Sequence, residues 1–179
     1  MNKSSYDHAR YLRRKAEQIL NRSKDILYSL SVIDRAYIAG IVDGEGSIHM
    51  TKKFKTGTWY AFVVIGMTNK NVINWLSQKF GNKTIEVIYR PKGSFKVTPS
   101  IIYYVRLQGR RACLLCELIY PYLIVKKQHA EILMQYPCDA RIAPGKRVNG
   151  SPINEIRTVL KNKLTELNGN YYQRRHPKK

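Results

Sequence analysis

Between Ser47 and Met67 the chain alternates with a period of two, and this leaves little freedom in how that stretch can fold. Ile48, Met50 and Phe54 fall on one side of an extended segment, and Ser47, His49, Thr51, Lys53 and Lys55 fall on the other. Thr56-Gly57 supplies a turn, and residues 59–67 return with Ala61, Val63, Ile65 and Met67 continuing the apolar side. The result is a β-hairpin with one apolar and one polar, basic face. A second hairpin is expected from residues 84–90 and 101–108, joined across Pro91-Lys92-Gly93-Ser94. Its outward parity would present Thr84, Glu86, Arg90, Tyr104, Arg106 and Gln108.

Helical spacing frames the two hairpins. Over residues 6–30, Ile19, Leu20, Ile26, Leu27 and Leu30 recur behind a basic first half. Ser31 with Asp34 three residues later opens a second helix, which is expected to run to about Val42 before Gly44 and Gly46 stop it. Asn69 or Thr68 can cap a helix reaching Phe80, with Gly81 as its stop signal. Two further helices, over 112–120 and 128–136, break near Pro121, and a loop covers 138–149. Ser151-Pro152 then opens a last helix, whose stripe of Ile153, Ile156, Leu160, Leu164 and Leu167 extends to Gly169. The order is α-α-ββ-α-ββ-α-α-α, an α+β pattern in which helices cover one side of an antiparallel sheet. We divide it into a basic helical extension (1–30), a core (31–136), and a loop, C-terminal helix and basic tail packed on or beside the core (137–179).

The uncovered side of that sheet needs a partner, and charge indicates which. Thirty-two Lys and Arg against 12 Asp and Glu leave +20 on 179 residues. The excess is spread as +4, +9 and +7 over residues 1–36, 37–136 and 137–179, so no single tail accounts for it. Self-repulsion on this scale favours a polyanionic partner, nucleic acid first among them. No run of about 18 apolar residues is present to span a bilayer, so no membrane partner is expected. Three cysteines cannot build a disulfide framework, and the Met1 start lacks a secretory signal pattern. An intracellular setting is expected, in an organelle or a prokaryotic cytoplasm. Cys113-x-x-Cys116 has no second pair to complete a zinc site and sits in an apolar helix, where both read as core residues.

The stretch with the most chemistry in it is Tyr37-Ile38-Ala39-Gly40-Ile41-Val42-Asp43-Gly44-Glu45-Gly46-Ser47. An apolar helix here ends in two acids between glycines. Carboxylates at a helix C-terminus oppose its dipole by about 0.3–1 kcal/mol, and a bound cation reverses that sign. The competing reading is an ordinary Asp-Gly turn. Ala36, Gly40 and Gly44 fall at i, i+4 and i+8, a line along which another helix backbone could approach closely.

Residues 38–46, IAGIVDGEG, resemble the nine-residue signature of the LAGLIDADG homing endonucleases. The resemblance covers roughly residues 34–136 and includes the basic strand after the motif, the αββαββα order and the Pro121-Tyr122-Leu123-x-x-Lys126 segment. It implies an αββαββα fold with a saddle-shaped antiparallel sheet, and site-specific cleavage of double-stranded DNA in intron homing. With one motif copy, it implies a homodimer joined along Ala36, Gly40 and Gly44. Glu45 would bind the metal through its carboxylate, with the Gly44 carbonyl nearby and Asp43 supporting the helix end. Mg²⁺ suits such oxygen ligands, with Mn²⁺ as a substitute and Ca²⁺ binding without supporting cleavage. Lys126 matches the family's catalytic lysine, with Lys127 the competing assignment. Asn69 stands where the family often has a water-positioning Gln. Ile73 falls where a basic residue often follows, with Lys70 as the substitute. His49, Thr51, Lys53, Lys55, Arg90, Lys92, Tyr104 and Arg106 are the expected DNA contacts, read from a sheet lying in the major groove. The alternative is an RNA-splicing maturase or a non-cleaving DNA-binding regulator on the same fold.

Overall fold

The computed structural model describes residues 25–52, 57–89, 100–138 and 151–175. Expectations for the N-terminal helix before Asp25, for Lys53, Phe54, Lys55, Arg90 and Lys92, and for the loop over 139–150 lie outside the described residues.

Ser31 caps helix α1 (Val32–Glu45) reciprocally: its Oγ accepts the Asp34 N–H at 3.1 Å, and Asp34 Oδ2 accepts the Ser31 N–H at 3.2 Å. The helix does not stop near Val42 but continues through Gly44 to Glu45. One interior glycine costs only about 1 kcal/mol, and contacts from a distant loop hold this end. Gly46 then begins strand β1 (Gly46–Lys52) with its N–H on the Val42 carbonyl. A Cβ at Gly46 would come within 2.7 Å of Val42 Cα, so only glycine lets the strand leave the helix this tightly.

β1 pairs antiparallel with β2 (Trp59–Met67), and β2 leads through the Asn69 cap into α2 (Lys70–Phe80). Gly81, at φ 59°, ends α2 in the left-handed conformation that glycine adopts at least cost. Strands β3 (Ile85–Tyr89) and β4 (Ser100–Gln108) complete an antiparallel sheet of order β1-β2-β4-β3. Helix α3 (Arg110–Ile119), a 3-10 turn (Tyr120–Tyr122), α4 (Lys127–Met134) and α5 (Pro152–Arg175) follow. Ile48, Met50, Ala61, Val63, Ile65, Val105 and Leu107 line one sheet face, where they are buried with Ile38, Val42, Leu76, Phe80, Leu115, Leu133 and Leu164 from the helices. The described helices pack on that face, α5 against α4, β1 and β2 among them. Among the described residues no helix is long and apolar enough to cross a membrane.

Four local expectations are corrected. Ile26–Ser29 form a 3-10 turn rather than the end of an α-helix, because Asp25 Oδ1 accepts the Leu27 N–H and starts a new turn there. The last helix passes Gly169 and reaches Arg175. Its buried line runs through Arg157, Leu160 and Leu164, while Ile156 is exposed. Arg157 belongs in that line because its guanidinium lies 4.7 Å from the Tyr136 ring and donates to the Pro137 carbonyl at 3.2 Å. The parity of β3 is also the reverse of that expected. Ile85 pairs with Tyr104 and Val87 with Ile102, so the outward residues are Ile85 and Val87. Glu86 shares a face with Tyr103, and Thr84 turns to the helices, donating to Asn74 Oδ1 at 3.0 Å.

Candidate active site

The C-terminal turn of α1 meets the segment between the 3-10 turn and α4. Asp43 is the joint: its carboxylate accepts the Ile124 N–H at 2.7 Å and the Lys126 N–H at 2.8 Å. The Lys126 ammonium reaches back and donates to the Asp43 carbonyl at 2.5 Å, taking up one of the carbonyls a helix end leaves open. Two acids at a negative helix end are thus offset by two N–H donors and one cation. Burial pushes Lys126 below its ordinary value, and the charges of Asp43 and Glu45 oppose that shift. The neighbouring Lys127 points elsewhere, its Nζ 4.9 Å from the Tyr120 ring.

Glu45 is exposed and has no hydrogen-bond partner among the described residues. No group of three or more His, Cys, Asp or Glu side chains that could hold a metal occurs among the described residues. One chain therefore presents one open carboxylate beside the Gly44 carbonyl, which is part of an oxygen ligand set but not a whole one. Asn69 follows β2 at the sheet end where β1 begins, and its Oδ1 accepts the Asn71 and Val72 N–H groups at 3.1 and 3.3 Å. Ile73 is fully buried in the core, so that position cannot carry a charge toward the site. Lys70 lies 5.2 Å from the Tyr103 ring.

Along α1, Ala36, Gly40 and Gly44 are exposed, and a Cβ built on either glycine meets nothing within 4 Å. Apolar side chains flank this line: Val32, Ile33 and Tyr37 are mostly exposed, as are Ile124 and Val125 beside the helix end. Exposed apolar area of this extent on one element marks a surface that something covers.

The sheet face opposite the helices carries Ser47, His49 and Thr51 from β1, Tyr60, Phe62 and Val64 from β2, and Tyr104, Arg106 and Gln108 from β4. His49 Nδ1 lies 2.9 Å from Ser47 Oγ, and its ring stacks on Phe62 at 5.7 Å. Burial lowers the His49 pKa, which favours the neutral imidazole. Arg106 lies over the same Phe62 ring at 5.5 Å. Tyr104 lies flat across Gly66, where a Cβ would overlap its ring. Phe62 and Val64 were missed in the sequence as members of this face. The signal was there in the parity opposite to Ala61, Val63 and Ile65.

No protein-family model and no curated protein matches the chain. Among solved structures, the homing endonuclease I-CvuI in complex with its target in the presence of Ca is similar at 15% identity and a TM-score of 0.53, over 75% of this chain and 82% of that one. I-CvuI in complex with the I-CreI target in the presence of Mg, its DNA not cleaved, is similar at 15% identity and a TM-score of 0.52 over the same shares. The α+β fold is thus that of the LAGLIDADG homing endonucleases.

Proposed function

We propose that this chain, with the homing-endonuclease fold as its premise, is a metal-dependent, site-specific double-strand DNA endonuclease that acts as a homodimer in intron homing. One observation carries the reading: Lys126 is bound to the carbonyl of Asp43 beside an open Glu45, at the end of a helix whose outer side is uncovered. Two copies meeting along Ala36, Gly40 and Gly44 would bring two Glu45 carboxylates and two Gly44 carbonyls together, an oxygen set suited to Mg²⁺, with Mn²⁺ as a substitute. A divalent ion held there supplies an activated water and charge stabilisation at phosphorus. Lys126 sets a cation beside the scissile phosphate and holds a proton at Nζ for the leaving oxygen. Asp43 keeps Lys126 there by holding its backbone. His49, Thr51, Tyr104 and Arg106 face the major groove of a long, roughly palindromic duplex, with Lys53, Lys55, Arg90 and Lys92 as further contacts.

The test is cleavage of plasmid DNA carrying the intronless insertion site, in Mg²⁺ or Ca²⁺, by the wild type and Glu45→Gln. A discrete double-strand cut is expected in Mg²⁺ only, lost in the variant, with binding in Ca²⁺ retained. Tight binding with no cut by the wild type would favour the second reading, a non-cleaving regulator or a maturase that binds RNA. That reading is favoured by the use of the Asn69 amide oxygen as a helix cap and by the buried Ile73, which leaves the position of the family's basic residue without a charge.

A further inference from the structure

The uncovered sheet face is not uniformly polar. Toward β1 it presents Ser47, His49 and Thr51, with Val64 of β2 paired to Ser47, while toward β3 it presents Ile102, Ile85 and Val87, with the Tyr104 ring lying over Gly66 between the two groups. Ile85 and Val87 are 42% and 45% exposed on this face, and Ile88 and Ile101, paired on the other, are 58% and 42% exposed. The core gains nothing from Ile85 and Val87, because the described helices pack on the other side. A polyphosphate partner explains the charge of this chain but not an apolar strip within the same face. Each base pair shows the major groove a distinct pattern, and the one apolar group in it is the thymine 5-methyl. Resting on the reading of this face as the DNA-binding surface, we infer that the strip of Ile85, Val87 and Ile102 reads thymine through its 5-methyl group, and that Arg106, two residues beyond Tyr104 on β4, reads a hydrogen-bonding base edge. Arg106 shares strand β4 and its outward parity with Ile102 and is held over the Phe62 ring, so the polar and apolar contacts are fixed relative to each other. Each half-site then has two parts, one in which thymine methyls are required and one in which donor and acceptor edges are.

The experiment first selects a binding site from random duplexes with the full chain in Ca²⁺. Deoxyuridine then replaces each thymidine of that site singly, removing the methyl without changing the pairing edge. A contiguous group of positions should lose affinity by about fourfold each, the worth of one buried methylene-sized group. The double variant Ile85→Ser, Val87→Ser alters only exposed side chains, and its folding is checked by thermal unfolding. It should bind the dT and dU sites equally at those positions and keep its preference where Arg106 acts. Equal affinity of the wild type for every dU-substituted site would overturn the inference while leaving site-specific binding intact, as would a folded variant that still discriminates dT from dU. A wild type that selects no sequence would remove the site-specific reading, and this inference with it.

Discussion

Asp43 and Glu45 are two residues apart in the same motif, yet they do different work. Asp43 spends both carboxylate oxygens on the backbone of Ile124 and Lys126, whereas Glu45 spends neither on the protein. Hydrogen bonds to a charged acceptor are worth about 1.5–3 kcal/mol each when buried, and these are partly exposed. Asp43→Ala is therefore expected to cost about 2 kcal/mol in urea unfolding. It should also cut the cleavage rate, because Lys126 loses its hold, while leaving DNA binding in Ca²⁺ near wild type. Full cleavage by Asp43→Ala would show that Lys126 finds its place without it. This division of labour was legible in the sequence only through the family signature. Local composition gave two acids and two glycines, which suit a turn as well as a helix end, and nothing local says that a segment some 80 positions away donates to the first acid. The choice between Lys126 and Lys127 was illegible for the same reason, since adjacent residues in a helix start differ only in direction.

At the scale of elements, period-two alternation named the first hairpin, the Pro91-Lys92-Gly93-Ser94 connection marked the second, and capping residues named the start of α1 and the end of α2. The expectations that failed did so where a neighbour decides. The parity of β3 is set by its register against β4, and five residues of weak alternation do not encode it. The end of α1 is set by Gly46 pressed on Val42 and by Asp43, not by the propensity of Gly44. The same helix carries a prediction in which two observables move in opposite directions. Gly40 is exposed and faces open space within its own chain, so Gly40→Leu should stabilise the folded subunit by about 1 kcal/mol through helix propensity. A leucine there blocks the close approach of a second α1. Sedimentation should then report a dimer for the wild type, as proposed, and a monomer for the variant, and cleavage should fall even as the subunit melts higher. A dimer that survives this substitution would place the two-fold contact elsewhere.

For the whole molecule, the charge of +20 is a property of the surface rather than of a site, and its consequence is measurable as salt dependence. The first 24 residues carry seven basic and two acidic side chains. Where they join the described structure is fixed: the Asp25 carboxylate accepts from Arg111 Nε at 3.0 Å, Arg111 donates to Asn82 Oδ1 at 2.6 Å, and Asn82 Nδ2 donates to the Arg106 carbonyl at 2.7 Å. A basic stretch thus enters the described structure one chain of hydrogen bonds from a residue on the uncovered sheet face. Leu27 and Leu30 are core residues, so a deletion must stop before them to leave the fold intact. Removal of residues 1–24 should weaken DNA binding without changing which sequence is selected, since phosphate contacts position a protein and base contacts specify. The slope of log K against log salt loses about 0.9 for each phosphate contact given up on duplex DNA, and two such contacts per subunit would lower it by about 3.6 for a dimer. A slope unchanged by the deletion would mean that these basic residues never reach the duplex, and the sheet and its hairpins would then have to supply the whole electrostatic attraction.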